Sequence, residues 1–189
     1  DIPVFSKFNF SGPANIAMNI SGTFEDFKFQ QQADLTRIGY KIPSLIKKNK
    51  NTFNQFRAKG RLSENAGLNV EDWSYELRGN KITGSMQIPD LNITDFKVEL
   101  ASEAFRTFPS HIFSNSWTAD GSVNFKISGD GNLNQMEDSR FSGEMDLINL
   151  KIRTRKISSE WLLNAKLRFK ENRLDIRSAS IVSTNSKVD

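Results

Sequence analysis

The stretch Asn15-Ile16-Ala17-Met18-Asn19-Ile20-Ser21-Gly22 alternates large apolar residues with small or polar ones and ends on a glycine. It returns 107 residues later as Ser122-Val123-Asn124-Phe125-Lys126-Ile127-Ser128-Gly129. Alternation with a period of two predicts a β-strand with one apolar face, and Ser-Gly is typical of the turn that follows. We therefore expect the two stretches to play the same part in the fold.

The two stretches belong to a longer internal repeat. Glu25-Asp26, Phe29 and Asp34-Leu35 return 112 residues later, and Ala58-Lys59, Arg61 and Glu64-Asn65 return 107 residues later. A fixed period of this length indicates an array of similar units rather than one compact globule. We predict that residues 1–189 form a single elongated segment of a longer protein. Its repeat copies are at about 16–82 and 123–188, with an insert at 83–122.

Further apolar rows occupy alternate positions along the chain, with Asn, Lys, Ser, Glu and Arg between them. The rows are Phe27, Phe29, Ala33 and Leu35; Ile82, Met86 and Ile88; Phe141, Met145 and Leu147; and Leu163, Ala165, Leu167 and Phe169. Turn residues such as Gly79-Asn80 separate them, so the sequence predicts a mostly β, antiparallel meander. Residues 44–56 and 102–117 break the alternation and predict one or two short helices or irregular excursions.

The residue types needed for catalysis are sparse. The chain has no Cys and one His, His111, and neither a nucleophile elbow nor a phosphate-binding loop is present. The adjacent pairs Glu25-Asp26 and Glu137-Asp138 cannot flank one scissile bond, because neighbouring residues on a strand point to opposite faces. We expect no enzymatic activity, no metal and no cofactor.

The charge of the chain is modest but uneven. The net charge is +4, and residues 41–61 carry seven Lys or Arg and no acid. Such a run is typical of solvated strand faces and loops, and the alternative is a surface for anionic lipid headgroups. A nucleic-acid surface would need rings and cations on one face, whereas here they alternate and so lie on opposite faces. The sequence therefore predicts no nucleic-acid partner.

A sheet with one apolar face must cover that face. It can pack on a second sheet as a sandwich, close into a barrel, or curl into an open groove that holds a ligand. A closed β-sandwich in a structural or interaction module explains the alternation as well as a groove does, and the lengthwise repeat favours the groove. A carbohydrate-binding module is a third interpretation, for which Trp73-Ser74-Tyr75 is the one suggestive feature.

The chain resembles the AsmA-like family of bridge-like lipid-transfer proteins over residues 10–188. The first part of the resemblance is Gly22-x-x-Glu25-Asp26-Phe27-x-Phe29, Tyr40-Lys41-Ile42-Pro43 and Ala58-Lys59-Gly60-Arg61-Leu62. The second part is Asp120-Gly121-Ser122-Val123 and Phe141-Ser142-Gly143-Glu144-Met145-Asp146-Leu147. The resemblance implies an elongated, twisted antiparallel sheet curled into a hydrophobic groove.

The resemblance also implies a function. Family members are anchored in the inner membrane, extend across the periplasm and shield phospholipid acyl chains on the way to the outer membrane, which supports its integrity. Here the membrane anchor would lie outside this sequence, and exposed edge strands could pair with other copies. The residues expected to line the groove and bind lipid are Ile16, Met18, Ile20, Phe29, Leu35, Val123, Phe125, Ile127, Phe141, Met145, Leu147, Leu167 and Phe169.

Overall fold

The computed structural model describes residues 10–42, 46–90, 94–107, 117–154, 160–171 and 173–183. Within these ranges the chain forms β-strands and no helix. The strands are β1 (Asn15–Gly22), β2 (Asp26–Asp34), β3 (Tyr40–Ile42), β4 (Ile46–Lys48), β5 (Asn54–Ser63), β6 (Gly67–Leu77), β7 (Asn80–Ile88), β8 (Asp95–Thr107), β9 (Trp117–Asn132), β10 (Gln135–Thr154), β11 (Glu160–Lys170) and β12 (Arg173–Ser183).

Ten of the strands form one open antiparallel sheet in the order β1-β2-β5-β6-β7-β8-β9-β10-β11-β12. Neighbouring strands of this sheet are also consecutive in the chain, apart from β2 and β5. The chain between β2 and β5 forms β3 and β4, which pair with each other in a separate two-stranded sheet. This order confirms the expected mostly β, antiparallel architecture. It follows from short turns between alternating segments, which favour hairpins over crossovers.

The expected short helices are wrong where the structure describes them. Residues 46–48 form β4 and β5 begins at Asn54, with Asn51 at a φ of 61° in the turn between them. Ser102 to Thr107 belongs to β8, while 108–116 lie outside the described residues. The reason is that backbone pairing with neighbouring strands outweighs the weak local preference of these polar residues.

The chain divides into two compact units. Unit 1 comprises residues 1–98 and 130–138, and unit 2 comprises residues 99–129 and 139–189. Unit 1 holds β1 to β7 with the β3–β4 hairpin, and unit 2 holds β11, β12 and the longer parts of β9 and β10.

In unit 1 the strand register places apolar residues on one face across five strands, β1, β2, β5, β6 and β7. A row of facing residues runs Ile20, Phe29, Gly60, Val70 and Met86, one from each strand. The adjacent rows on the same face are Ile16, Ala33, Phe56, Tyr75 and Ile82; Met18, Gln31, Ala58, Trp73 and Gly84; and Gly22, Phe27, Leu62, Leu68 and Ile88.

Unit 2 repeats this one-sided arrangement in β10, β11 and β12. Met145, Leu167 and Ile176 face one another across the three strands. The adjacent rows on that face are Gly143, Phe169 and Leu174; Leu147, Ala165 and Ala179; and Leu150, Leu163 and Ile181. Each unit therefore has a sheet with one apolar and one polar face.

The β-bulges in β6 and β12 occupy matching positions. The register of β5 and β6 shifts between Lys59 and Gly60, which leaves Glu71 as the extra residue of β6. The register of β11 and β12 shifts between Lys166 and Leu167, which leaves Arg177 as the extra residue of β12. An extra residue changes which side chains face the apolar side, so both strands keep apolar residues there on either side of the bulge.

Candidate functional site

The candidate site is the apolar face of each sheet. In unit 1, Ile16, Met18, Ile20 and Phe29 lie on this face. The β1 row is open to solvent: Ile16 is 62% exposed, Met18 51% and Ile20 61%. Further into the sheet the side chains are half-buried or buried, with Val70 at 7% exposure. The apolar face of unit 1 thus combines a buried interior with an exposed margin at β1.

Leu35 lies apart from the other expected residues of unit 1. It follows the end of β2, and its backbone N–H donates to the carbonyl of Asn54 at 2.9 Å. Its own carbonyl accepts a hydrogen bond from Lys48 at 2.9 Å. The backbone of Leu35 thus contributes to the junction with the β3–β4 hairpin.

In unit 2 the expected residues come from three strands. Val123, Phe125 and Ile127 occupy alternate positions of β9, and Phe141, Met145 and Leu147 occupy alternate positions of β10. Leu167 faces Met145, and Phe169 is two residues further along β11. The ring of Phe125 lies 6.2 Å from that of Phe105, centroid to centroid. Val123 is buried, and the other expected residues of this unit are half-buried.

A phenylalanine covers a glycine in each unit. Phe29 faces Gly60, and a Cβ built on Gly60 would lie 2.9 Å from Phe29 Cζ. In unit 2 the ring of Phe141 occupies the space that a Cβ on Gly129 would need. Rings laid over glycines fill the gap that a missing side chain leaves on the sheet face. Phe29 and Phe141 thus contribute to the sheet surface as well as to the candidate lining.

The sequence reasoning left several residues of the apolar faces out of the candidate lining. In unit 1 these include Phe56, Trp73 and Tyr75, and in unit 2 Leu150 and Ile181. A strict alternation with a period of two misses apolar residues beyond a bulge, because the extra residue moves them from odd to even positions or the reverse. Such bulges lie between Val70 and Trp73 and between Leu147 and Leu150. A change of phase inside a long apolar run is the signal that could have located them.

A buried polar cluster lies at one end of the apolar face of unit 1. Lys48 is 3% exposed, and its ammonium donates to the carbonyls of Leu35, Thr36 (3.1 Å), Ile38 and Asn49 (3.4 Å). The hydroxyls of Tyr40 and Tyr75 hydrogen-bond each other. The Asn54 side chain donates to both, at 3.1 Å and 3.3 Å. The cluster fixes the β3–β4 hairpin to the sheet.

The cluster perturbs two titrations. Burial, with a smaller effect from the charge of Arg78, lowers the pKa of the Lys48 ammonium, and Asp34 opposes this shift. Burial, with the hydrogen bond to Tyr40, raises the pKa of the Tyr75 hydroxyl above its usual value of 10.0. Tyr75 therefore stays neutral at physiological pH, and its hydroxyl is committed to the cluster.

The opposite face of unit 1 is polar. One row runs Gln32, Arg57, Ser74 and Thr83 from β2 to β7. Near the edge of this polar face, the Arg61 guanidinium makes a bidentate ion pair with the Asp26 carboxylate. The hydrogen bonding from Arg61 lowers the pKa of the Asp26 carboxyl. Acids and bases are mixed on this face, which is typical of a solvated surface.

Within the described ranges, no three His, Cys, Asp or Glu side chains converge as a metal site would require. The described ranges also contain no helix with the length and hydropathy needed to cross a membrane. His111 lies outside the described residues. No protein-family model, curated protein or solved structure matches the chain.

Proposed function

We propose that the chain binds the acyl chains of phospholipids along the apolar faces of its sheets and thereby supports lipid transfer between membranes. The observation that carries the proposal is the exposed row of Ile16, Met18 and Ile20, which continues into half-buried and buried residues on the same face of β2 and β5. Contiguous apolar surface beside a solvated polar face is typical of a surface that binds an apolar ligand.

The described strands favour a groove over a sealed sandwich. A sandwich needs a second sheet of comparable size against the apolar face. In the described ranges the second sheet is the short β3–β4 hairpin, whose cluster contacts reach Asn54 and Tyr75 at the end of that face. Away from that contact, the β1 side of the face is exposed at Ile16, Met18 and Ile20, which supports a curled, lipid-holding sheet.

The composition of the rows suits a ligand that slides. The row of Ile20, Phe29, Gly60, Val70 and Met86 has no charged or hydrogen-bonding side chain that would hold a lipid at one position. Removing acyl chains from water contributes about 0.8 kcal/mol per buried CH₂. The total binding free energy would thus be large, and it would be nearly the same at each position along the row. An acyl chain could therefore move along the row with little change in free energy.

Carbohydrate binding is less well supported. Trp73 and Tyr75 lie on the apolar face, whereas Ser74 points to the polar face. The Tyr75 hydroxyl is already bonded to Tyr40 and Asn54. A sugar site needs rings beside available hydrogen-bonding groups, so this segment suits a lipid better than a sugar.

The matching bulges of β6 and β12 support the tandem repeat, in which β1, β2, β5 and β6 correspond to β9, β10, β11 and β12. Together with the AsmA-like resemblance, they lead us to propose an elongated lining within a longer protein. In this proposal the protein crosses the periplasm and a segment outside this sequence anchors it in the inner membrane.

Photo-crosslinking tests the proposal. A photoreactive amino acid at Phe125, on the apolar side of β9, is expected to capture phospholipid from cells, as detected by mass spectrometry of the purified adduct. The matched control is Lys126, the next residue, which is exposed. Phe29 and Lys28 form a second pair in unit 1. Equal capture at both members of each pair, or none at either, would contradict the proposal.

A further inference from the structure

One end of the strands of unit 1 is strongly basic. The segment between β2 and β5 lies at this end, where the backbone of Leu35 is hydrogen-bonded to that of Asn54, and so does the turn between β6 and β7. Both segments are connections within unit 1, with described strands before and after them. They contain no acid, and their basic residues are Arg37, Lys41, Lys47, Lys48, Lys50 and Arg78.

The opposite end of the same strands is acidic. It consists of the β1–β2 turn, the β5–β6 turn and the β7–β8 loop, which are residues 23–25, 64–66 and 89–94. These segments contain no Lys or Arg, and their charged residues are Glu25, Glu64 and Asp90. An anionic group is therefore attracted to one end of the strands and repelled from the other.

The β3–β4 hairpin lies on the apolar side of the basic end. Asn54 shares a face with Phe56, and Tyr75 faces Phe56, so both belong to the apolar face. Both side chains hydrogen-bond to the hydroxyl of Tyr40, the first residue of β3. The basic end therefore borders the apolar surface itself, which is the surface proposed to bind acyl chains.

Three cations of the basic end, Arg37, Lys50 and Arg78, are exposed. Lys50 lies against the hairpin, because its Cγ is 3.3 Å from the position of a Cβ on Gly39. Burial lowers the pKa of the Lys48 ammonium and the charge of Arg78 adds to this shift, so Arg78 lies near Lys48. The Lys48 ammonium itself is bonded to four carbonyls, so the exposed cations are the ones placed to meet a ligand.

The apolar face between the two ends has the length of a lipid tail. Along β2 it extends from Phe27 to Ala33, and six residue steps of a strand span about 20 Å. The hydrocarbon layer of one bilayer leaflet is about 15 Å thick, half of the whole core. An acyl chain that lies along the strands would thus fit between the basic and the acidic end.

We propose that Arg37, Lys50 and Arg78 bind the headgroup of a phospholipid with a net negative charge, whose acyl chains lie on the apolar face and point to the acidic end. This inference rests on the proposed lipid binding and adds the class and the orientation of the headgroup. Arg and Lys donate charge-assisted hydrogen bonds to phosphate oxygens. Because the cations are exposed, water and salt weaken the attraction, so the headgroup is favoured there and still exchanges.

Competitive loading tests the headgroup class. The protein is incubated with vesicles that contain equal amounts of phosphatidylglycerol, which is anionic, and phosphatidylcholine, which is zwitterionic, with identical acyl chains. The lipids bound to the re-purified protein are measured by mass spectrometry, and phosphatidylglycerol is expected to be enriched by about threefold or more. Bound lipid without enrichment would overturn this inference alone. Absence of both lipids would contradict the proposed function as well.

A pair of double variants locates the preference. Arg37→Gln with Lys50→Gln should bring the ratio of the two lipids close to one; Arg78 is kept because its charge acts on Lys48. The matched control is Lys28→Gln with Lys59→Gln, which removes the same charge from exposed residues of the polar face and should keep the enrichment. Equal enrichment in the two double variants would show that the basic end does not select the headgroup.

Photoreactive lipids test the orientation. One phosphatidylglycerol probe carries a diazirine on the headgroup, and the other carries it at the end of an acyl chain. Peptide mapping is expected to find headgroup adducts within residues 35–53 and tail adducts on the apolar face toward Phe27 and Leu62. The reverse pattern, or adducts of both probes in the same segment, would overturn the proposed orientation.

Two other occupants of the basic end give different results. Inorganic phosphate in large excess, compared with chloride at the same ionic strength, is expected to leave phosphatidylglycerol bound. Specific release by phosphate would show a site for free phosphate. Vesicle flotation covers the second case: a chain that adheres to phosphatidylglycerol vesicles and extracts none of their lipid would have a membrane-docking surface at this end. Either result would overturn the proposal.

Discussion

At the scale of single residues, Lys48 shows how the structure stabilises a charge that the sequence places in a basic loop. Its ammonium is buried, and four carbonyl oxygens accept its hydrogen bonds. A buried charge is unfavourable unless hydrogen-bonding partners surround it, and the carbonyls of Leu35, Thr36, Ile38 and Asn49 supply them. Sequence reasoning assigned this lysine to a solvated run, because a run of Lys gives no sign of which one turns inward.

Replacing Lys48 tests its role in holding the hairpin. Lys48→Met keeps the aliphatic stem and removes the donor, so carbonyls that the ammonium satisfied lose their partner. We expect the free energy of unfolding to fall by about 2–4 kcal/mol, measured by urea denaturation. Lys50→Met is the matched control, because Lys50 is exposed, and it should change stability by less than about 0.5 kcal/mol. Equal stability of the two variants would contradict the structural role of Lys48.

Two carboxyl groups of unit 1 predict a dependence of stability on pH. The hydrogen bond from Arg61 lowers the pKa of Asp26, and hydrogen bonds from Thr36 lower the pKa of Asp34, both from an ordinary value of 3.8. Because the folded pKa values lie below the unfolded ones, the contribution is present above the unfolded values. It is lost as the pH falls through the folded values.

The urea midpoint is therefore expected to fall when the pH is lowered below about 4. The Asp26→Asn, Asp34→Asn double variant should be less stable at pH 7 and should show a shallower fall in acid. Glu25→Gln, which removes a neighbouring exposed carboxyl, is the control and should keep the original profile. A double variant with an unchanged acid profile would show that other groups determine the effect.

At the scale of elements, the bulges decide which side chains line the apolar faces. Glu71 is the extra residue of β6, and it allows Val70 and Trp73 to share a face although their spacing is odd. Without the extra residue, one half of the strand would turn its apolar side chains to the polar face. The bulge therefore keeps β6 apolar on one side over its whole length.

Deleting Glu71 should be far more damaging than replacing it. The deletion forces either Trp73 and Tyr75 or Leu68 and Val70 onto the wrong face, so we expect a loss of about 3 kcal/mol or more, measured by urea denaturation. Glu71→Ala keeps the residue count and should cost less than about 1 kcal/mol. A deletion variant as stable as the Ala variant would show that the register can shift without penalty.

The elements also show how far sequence reasoning reaches. The rows of β1, β2 and β7 were predictable because they keep strict alternation between turn residues. The start of β5 was not, because Asn54 is a polar residue on the same face as Phe56 and Ala58 and so interrupts the apolar row. Trp73 and Tyr75 were left out of the lining because the apolar residues change phase between Val70 and Trp73, and only the register of the neighbouring strands shows that both phases lie on one face.

At the scale of the whole molecule, a substitution at Met18 tests whether the apolar face is open to solvent or sealed. Because its side chain is about half exposed, Met18→Glu should leave the fold intact and change the free energy of unfolding by less than about 1 kcal/mol. The same change places a charge in the proposed lipid path, where an unpaired carboxylate is unfavourable. Phospholipid that co-purifies with the protein, measured by native mass spectrometry, should fall severalfold.

Asn19→Glu is the control for this experiment, since Asn19 is the next residue of β1 and faces the polar side. It should retain both the fold and the bound lipid. If Met18→Glu instead causes cooperative loss of structure, the face is sealed in solution and the interpretation as a sandwich module gains support. If lipid content is unchanged in both variants, the margin at β1 does not contact lipid.

The sequence by itself determined that the protein is built from antiparallel strands with one apolar side, because alternation and turn residues act locally and are legible along the chain. The tertiary structure alone decided which residues share a face, since this depends on register, on the bulges at Glu71 and Arg177, and on a neighbouring strand. It also decided that Lys48 and Tyr75 belong to a buried cluster. Residues far apart in the chain must meet before their polar groups can satisfy one another.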